Sequence, residues 1–202
     1  MSDCDCAVEV ESAAQSRVLW ILLAINGGMF VAELGGGLLA GSTALIADSF
    51  DMLADAAVYG VSLYAVFRGT RAQASAARLS GYLQLALGTV ALVEVIRRLV
   101  FGSSPEAAHM ILIAAVALVA NAICLKLVAA HRKGGVHMRA SFIFSQNDVI
   151  ANCAVILSGV LVALSGWAVW DLIAGAGIGS LVLSGGVRIL KEARIAASSA
   201  VS

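Results

Sequence analysis

Hydrophobic and polar positions divide this chain into long apolar runs separated by short polar gaps. Each run is close to the roughly 20 residues that a helix needs to cross a bilayer core of about 30 Å. Because backbone surrounded by lipid must satisfy its own hydrogen bonds, runs of this length predict helices. The fold expected is an all-α membrane protein, a bundle of six transmembrane helices. The six runs cover residues 18–39, 43–67, 79–101, 109–130, 140–164 and 168–189.

The basic residues predict the orientation of the bundle. In a six-span arrangement only Arg97 and Arg98, at the end of the third run, fall on the side opposite the termini. Cytoplasmic gaps are enriched in Lys and Arg, so both termini are expected in the cytoplasm. The residues on the terminal side are Arg17, Arg68, Arg71, Arg78, Arg132, Lys133, Arg139, Arg188, Lys191 and Arg194. The expected parts are a cytoplasmic tail 1–16, a transmembrane domain 17–190 and a cytoplasmic tail 191–202.

Composition agrees with lipid as the surrounding solvent. The chain is 60% hydrophobic and 13% charged, whereas soluble domains carry about 25% charged residues. We therefore expect a multi-pass protein of a prokaryotic cytoplasmic membrane. A net charge of +0 gives no reason to expect a nucleic acid partner. The acidic first sixteen residues lack the basic start of a cleavable signal peptide.

The four cysteines do not indicate a disulfide framework. Cys4 and Cys6 lie in the predicted cytoplasmic tail, and Cys124 and Cys153 lie within predicted spans. Neither setting favours disulfides. The first two thiols are a weak motif for transient capture of a soft metal ion.

Carboxylate and amide side chains interrupt three of the apolar runs. Asp51 and Asp55 are four residues apart, so a helix places them on one face about one turn apart. Charged groups at lipid depth are costly, and they mark functional sites by default. The three runs could direct oxygen ligands toward one cavity that holds a cation or protons. Further carboxylate and amide residues of these runs include Asn26, Glu33, Asp48, Asn147, Asp148 and Asn152.

Several polar residues also have simpler structural interpretations. Glu94 is expected to pair with Arg97 or Arg98, three and four residues further on. Asp48 is expected to cap its helix or approach an interface, and Asp171 to sit at an interface. Three amides would suit hydrogen bonds between helices. These are Asn26, Asn121 and Asn152.

Asp51, Asp55 and Asp148 fit a structural interpretation least, because no base neighbours them on the same face. Hard oxygen ligands suit divalent cations, and a carboxylate must lose its proton to bind one. Metal ions and protons therefore compete for the same atoms. In a bundle that exposes its site to each face in turn, this competition would drive exchange.

At these positions the chain resembles the cation diffusion facilitator family of divalent-metal/proton antiporters. The resemblance lies in Glu33 with the glycines that end the first run, in segment 41–49 with Asp51 and Asp55, and in Met138–Ala140 before the fifth run. It implies proton-coupled efflux of a transition metal from the cytoplasm, with zinc, manganese, iron and cobalt as candidates. It implies no prosthetic group.

The fifth run departs from the family pattern. The family usually places His or Asp four residues before the final Asp, but here Phe144 precedes Asp148. Losing an imidazole shifts preference from zinc toward manganese or iron(II), although the Irving–Williams order still favours zinc. The expected ligands are Asp51, Asp55 and Asp148, with Asn147, Asn152, Asn26 or a water completing the shell.

Many family members continue into a cytoplasmic metal-binding domain, and we expect this chain to be a short form without it. A homodimer would then use transmembrane surfaces, and the glycine-rich segments 175–179 and 185–186 permit close approach of helices. The alternative function is a non-transporting relative that binds metal or a membrane partner. An enzyme is not expected, because no nucleophile with its base and no helix-depth histidines are present.

Overall fold

Six helices follow one another in the computed structural model, which describes residues 2–66, 70–130 and 136–199. No strand occurs among these residues. The predicted all-α bundle is confirmed. The helices are α1 (Ser2–Leu39), α2 (Thr43–Val66), α3 (Thr70–Phe101), α4 (Ala107–Ala129), α5 (Val136–Ser165) and α6 (Val169–Ser199).

Three helices extend well beyond the apolar runs that predicted them. α1 begins at Ser2, α3 begins at Thr70, and α6 continues to Ser199. The segments added to α3 and α6 are rich in alanine and other good helix formers, and extending an existing helix costs little compared with starting one. Hydropathy therefore located the predicted spans but not the ends of the helices.

Within the described ranges, five helices are long and apolar enough to cross a membrane. These spans are Ser16–Leu39, Arg78–Phe101, Ala107–Ala129, Phe144–Ser165 and Val169–Lys191. The remaining helix, α2, carries Asp48, Asp51 and Asp55. α2 contacts α1, α3, α5 and α6, so its neighbours shield these carboxylates from lipid. This shielding explains how a helix at the centre of the bundle tolerates three acidic residues.

Glycines of α6 permit close packing inside the chain. A Cβ atom added at Gly175 would lie 3.1 Å from the Thr43 side chain, and one added at Gly179 would lie 2.9 Å from Leu92. Gly186 is equally close to α3. These glycines were expected to suit contacts between the helices of a dimer. In the structure they pack against other helices of the same chain instead.

The N-terminus of α2 is capped by a residue from α6. The Ser42 hydroxyl donates to Asp171 Oδ1 at 2.6 Å, the Thr43 backbone N–H to Oδ2 at 2.6 Å, and the Ala44 N–H to Oδ1 at 3.0 Å. Asp171 is fully buried. The interface position expected for Asp171 is therefore corrected to an internal cap, because the free N–H groups at a helix start bind a carboxylate strongly.

The connection between α1 and α2 is also bound to α3 and α4. The Arg98 guanidinium donates to the Gly41 carbonyl oxygen, and the Glu106 N–H donates to the Ala40 carbonyl at 2.7 Å. Glu94 accepts from Arg97 Nε and Arg98 Nε, each at 2.7 Å. The predicted pairing of Glu94 is confirmed. We refer to residues 40–42 with these contacts as the anchored turn.

Some predictions concern residues outside the described part of the chain. They include the side chains of Cys4 and Cys6 and the basic residues of the gaps at 67–69 and 131–135. Cytoplasmic termini accordingly remain a prediction.

Candidate metal centre

Helices α2 and α5 bring three carboxylates together in the interior of the bundle. Asp51 and Asp55 project from one face of α2, and Asp148 projects from α5. One oxygen of each lies within 4.8 Å of the others. All three side chains are buried. Small side-chain rotations would let a single cation contact all three oxygens.

These carboxylates have few hydrogen-bond partners. The Tyr59 hydroxyl donates to Asp55 Oδ2 at 3.1 Å. Within the described ranges, Asp55 Oδ1 and both oxygens of Asp148 have no hydrogen-bond partner, and no ion pair involves the three aspartates. A buried, ionised carboxylate without partners strongly destabilises the folded protein unless a proton or a cation neutralises it. The arrangement is therefore suited to binding one or the other.

A small cavity adjoins the carboxylates. Its volume is about 10 Å³, close to the minimum needed for one water molecule. A bare metal ion fits a space of this size. The lining residues are Asp51, Asp55, Gln84, Phe144, Asn147, Asp148, Leu181 and Gly185.

The three amides predicted to complete the shell lie in different places. Asn147 lines the cavity. Asn26 and Asn152 do not, and each donates to a backbone carbonyl of its own helix, Leu22 at 2.9 Å and Asp148 at 2.8 Å. These bonds within a helix correct the expectation that Asn26 and Asn152 bond between helices. Their side-chain oxygens are buried and have no partner among the described residues.

A second acidic pair, Glu33 and Asp48, lies nearer the anchored turn. A Cβ at Gly37 would lie 3.0 Å from the side chains of Leu45 and Ile46, so the antiparallel pairing of α1 and α2 places Glu33 at about the level of Asp48. Both are fully buried, and their four carboxylate oxygens have no partner in the described part of the chain. The expectation that Asp48 caps its helix or reaches an interface is therefore wrong. Asp171 supplies the cap instead.

Comparison with known proteins identifies the family. The model of the cation efflux transmembrane domain matches residues 19–194. The chain belongs to the cation efflux family. The resemblance to cation diffusion facilitators is thereby confirmed, and with its apolar helices the chain is an integral, multi-pass membrane protein.

Several bacterial proteins are similar in sequence to this chain. It is 30% identical to "Zinc transporter ZitB" of Pectobacterium atrosepticum over 90% of this chain and 61% of the relative. It is 26% identical to "Metal cation efflux system protein CzcD" of Cupriavidus metallidurans over 83% of this chain and 57% of the relative.

A further relative is the "Cadmium, cobalt and zinc/H(+)-K(+) antiporter" of Bacillus subtilis, 26% identical over 89% of this chain and 62% of the relative. The chain therefore spans about three fifths of the length of these relatives. Their names describe transporters rather than enzymes.

Two residues other than the aspartates shape the centre of this chain. Phe144 is buried and lines the cavity, so the position that precedes Asp148 by one turn contributes an apolar ring. Gln84 of α3 lines the same cavity and was missed by the sequence analysis. Its signal was available, because Gln84 is the one amide in the apolar run 79–101. An amide at lipid depth usually has a partner between helices.

Proposed function

We propose that this protein exports a divalent transition metal from the cytoplasm in exchange for protons, using Asp51, Asp55 and Asp148 as the transport site. The observation that carries the proposal is the convergence of three buried carboxylates within 4.8 Å, beside a cavity of ionic size. The names of the relatives, which include zinc transporters and a cadmium, cobalt and zinc antiporter, support a divalent cation as the substrate.

The absence of any ion pair to the three aspartates among the described residues supports coupling to protons. A buried carboxylate cluster is tolerated when it holds either a metal ion or protons, and both ligands need the same oxygen atoms. Protons that arrive from one side would release the metal, and loss of those protons on the other side would restore the binding form. An exchange of this kind keeps the site close to neutral in each state.

The donor set affects which metals are carried. Asp51, Asp55 and Asp148 offer only oxygen, and Phe144 replaces the His or Asp that the family usually has at its position. Oxygen donors suit manganese and iron(II) better than a site with imidazole does, while zinc and cobalt remain substrates by raw affinity. We therefore include zinc, manganese, iron and cobalt as candidate substrates.

Exposure of the site to each face of the membrane in turn requires helices that move as rigid units. α2 and α5 contact each other and carry all three carboxylates, and α2 also contacts α1, α3 and α6. Rocking of these packed helices would open the centre to one face of the membrane and then to the other.

Metal flux into proteoliposomes under an imposed pH gradient tests this proposal. We expect flux for one or more of manganese, iron(II), cobalt and zinc, and its loss in Asp51→Asn and Asp148→Asn, because each removes a charged ligand. Glu106→Gln is the matched control, since Glu106 is an exposed carboxylate between α3 and α4. Full flux in both aspartate variants would contradict the assignment.

A metal-binding protein without transport is the second candidate. Phe144 favours it, because the loss of one ligand in an otherwise complete centre can leave a site that binds but does not turn over. Metal bound by the wild type at the three aspartates, with no flux of any ion in folded protein, would support this candidate.

A further inference from the structure

Gln84 stands apart from the other polar residues that line the cavity. The remaining polar lining residues lie on α2 or α5, whereas Gln84 lies on α3. Only 2% of Gln84 is exposed. A long polar side chain from a third helix therefore reaches the cavity that adjoins the three carboxylates.

The amide oxygen of Gln84 is buried without a hydrogen-bond partner in the part of the chain that the structure describes. An amide oxygen that is removed from water and left unpaired destabilises the folded protein. Such a group requires an explanation. A cation in the adjoining cavity would supply the missing partner.

Gly185 of α6 leaves room for the Gln84 carboxamide because it has no side chain. A Cβ atom at position 185 would lie 3.2 Å from Gln84 Nε2 and 3.4 Å from Cδ and Oε1. The α6 backbone thus packs closely against the amide on one side. The carboxamide is confined between α6 and the cavity.

We propose that Gln84 Oε1 is a metal ligand and replaces the one that Phe144 does not provide. The carbonyl oxygen of a glutamine is an established ligand for hard cations. With the three aspartates it would give four oxygen donors from α2, α3 and α5. This inference rests on the proposed function, because it assigns one more ligand to the same site.

An all-oxygen shell also has a consequence for metal choice. A neutral carbonyl oxygen is a harder donor than an imidazole nitrogen, so the shell discriminates less strongly in favour of zinc. Gln84 therefore acts as a specificity residue. It favours manganese relative to zinc, compared with a centre that has histidine as its fourth ligand.

Metal binding by the purified full chain in detergent tests the inference. Manganese affinity and the absorption spectrum of bound cobalt(II) would be measured for the wild type, Gln84→Leu and Gln84→Glu. We expect Gln84→Leu to weaken manganese binding about tenfold, since losing even a group that only orients a metal ligand typically costs 10–100-fold, and to change the cobalt spectrum. Gln84→Glu retains an oxygen donor, so its affinity should remain at or above that of the wild type.

Two further variants separate the possible causes. Gln146→Leu is the matched control, because Gln146 is an exposed glutamine on α5 and should leave binding unchanged. Asn147→Leu tests the other amide on the cavity. Wild-type affinity and spectrum in Gln84→Leu, with binding lost in Asn147→Leu, would overturn the assignment in favour of Asn147.

Failure of the inference differs from failure of the proposed function. If Gln84→Leu binds like the wild type while Asp51→Asn does not bind, Gln84 is not a ligand but the aspartate site stands. If Asp51→Asn also binds like the wild type, both assignments fail. If Gln84→Leu does not fold, Gln84→Glu decides: binding at or above the wild-type affinity supports ligation by the oxygen at position 84, and loss of binding in the folded variant overturns it.

Discussion

Single residues determine the chemistry of this centre, and Phe144 is the one that departs most from expectation. The ring lies on the cavity beside the carboxylates, in the position where relatives that carry zinc are expected to place a ligand. An aromatic ring excludes water from that side of the site and contributes no donor atom. Any further metal ligand beside the three aspartates must therefore be a neutral oxygen atom from another residue or from water.

Phe144→His is expected to raise zinc affinity relative to manganese about tenfold or more, because it adds a nitrogen donor that zinc prefers. Competition between the two metals for the purified protein measures the ratio. Phe144→Leu is the control, since it changes the side-chain volume without adding a donor. An equal shift in the two variants would mean that the ring acts through packing alone.

At the scale of the helices, the N-terminal end of α2 is held by several polar contacts from other helices. Asp171 accepts from three donors at its N-terminus, and Arg98 and Glu106 bind the turn that precedes it. The three acceptor contacts join residues separated by 127 to 129 positions in the chain. The cap therefore fixes the position of α2 relative to α6.

Replacement of this cap should destabilise the bundle. In Asp171→Ala three buried donors lose a charged acceptor, and we expect a loss of about 2 kcal/mol or more in the free energy of unfolding. Thermal unfolding in detergent measures it, with Glu106→Ala as an exposed carboxylate control. Metal affinity of the folded fraction should remain close to that of the wild type. An unchanged melting temperature would show that water can replace the carboxylate.

Sequence patterns predicted the parts of the centre that depend on one helix at a time. Apolar runs located the helices, and the repeats in α2 and α5 identified Asp51, Asp55 and Asp148 before any packing was known. Gln84 could not be assigned in this way, because its role depends on which face of α3 meets α2. The link between Asp171 and α2 is likewise a product of packing, since no local pattern relates residues so far apart.

For the whole molecule, the proposed exchange predicts a reversible direction of transport. Metal ions bind the deprotonated carboxylates, so affinity falls on the side where the pH is lower. Reversing the pH gradient across proteoliposomes should therefore reverse net metal flux, measured with a metal-sensitive dye inside the vesicles. Flux through Glu106→Gln should reverse in the same way as flux through the wild type. Metal flux whose direction does not depend on the pH gradient would contradict proton coupling.

The anchored turn also bears on how far different parts of α2 would move in the proposed exchange. With a rise of about 1.5 Å per residue, Asp51 lies roughly 12 Å from Thr43 and the far end at Val66 roughly 35 Å. A tilt of about 10° around the anchored end would move Asp51 by about 2 Å and Val66 by about 6 Å. In the proposed exchange, a tilt of this kind would displace Asp51 only about a third as far as Val66, so the part of α2 that carries the carboxylates would move less than its far end.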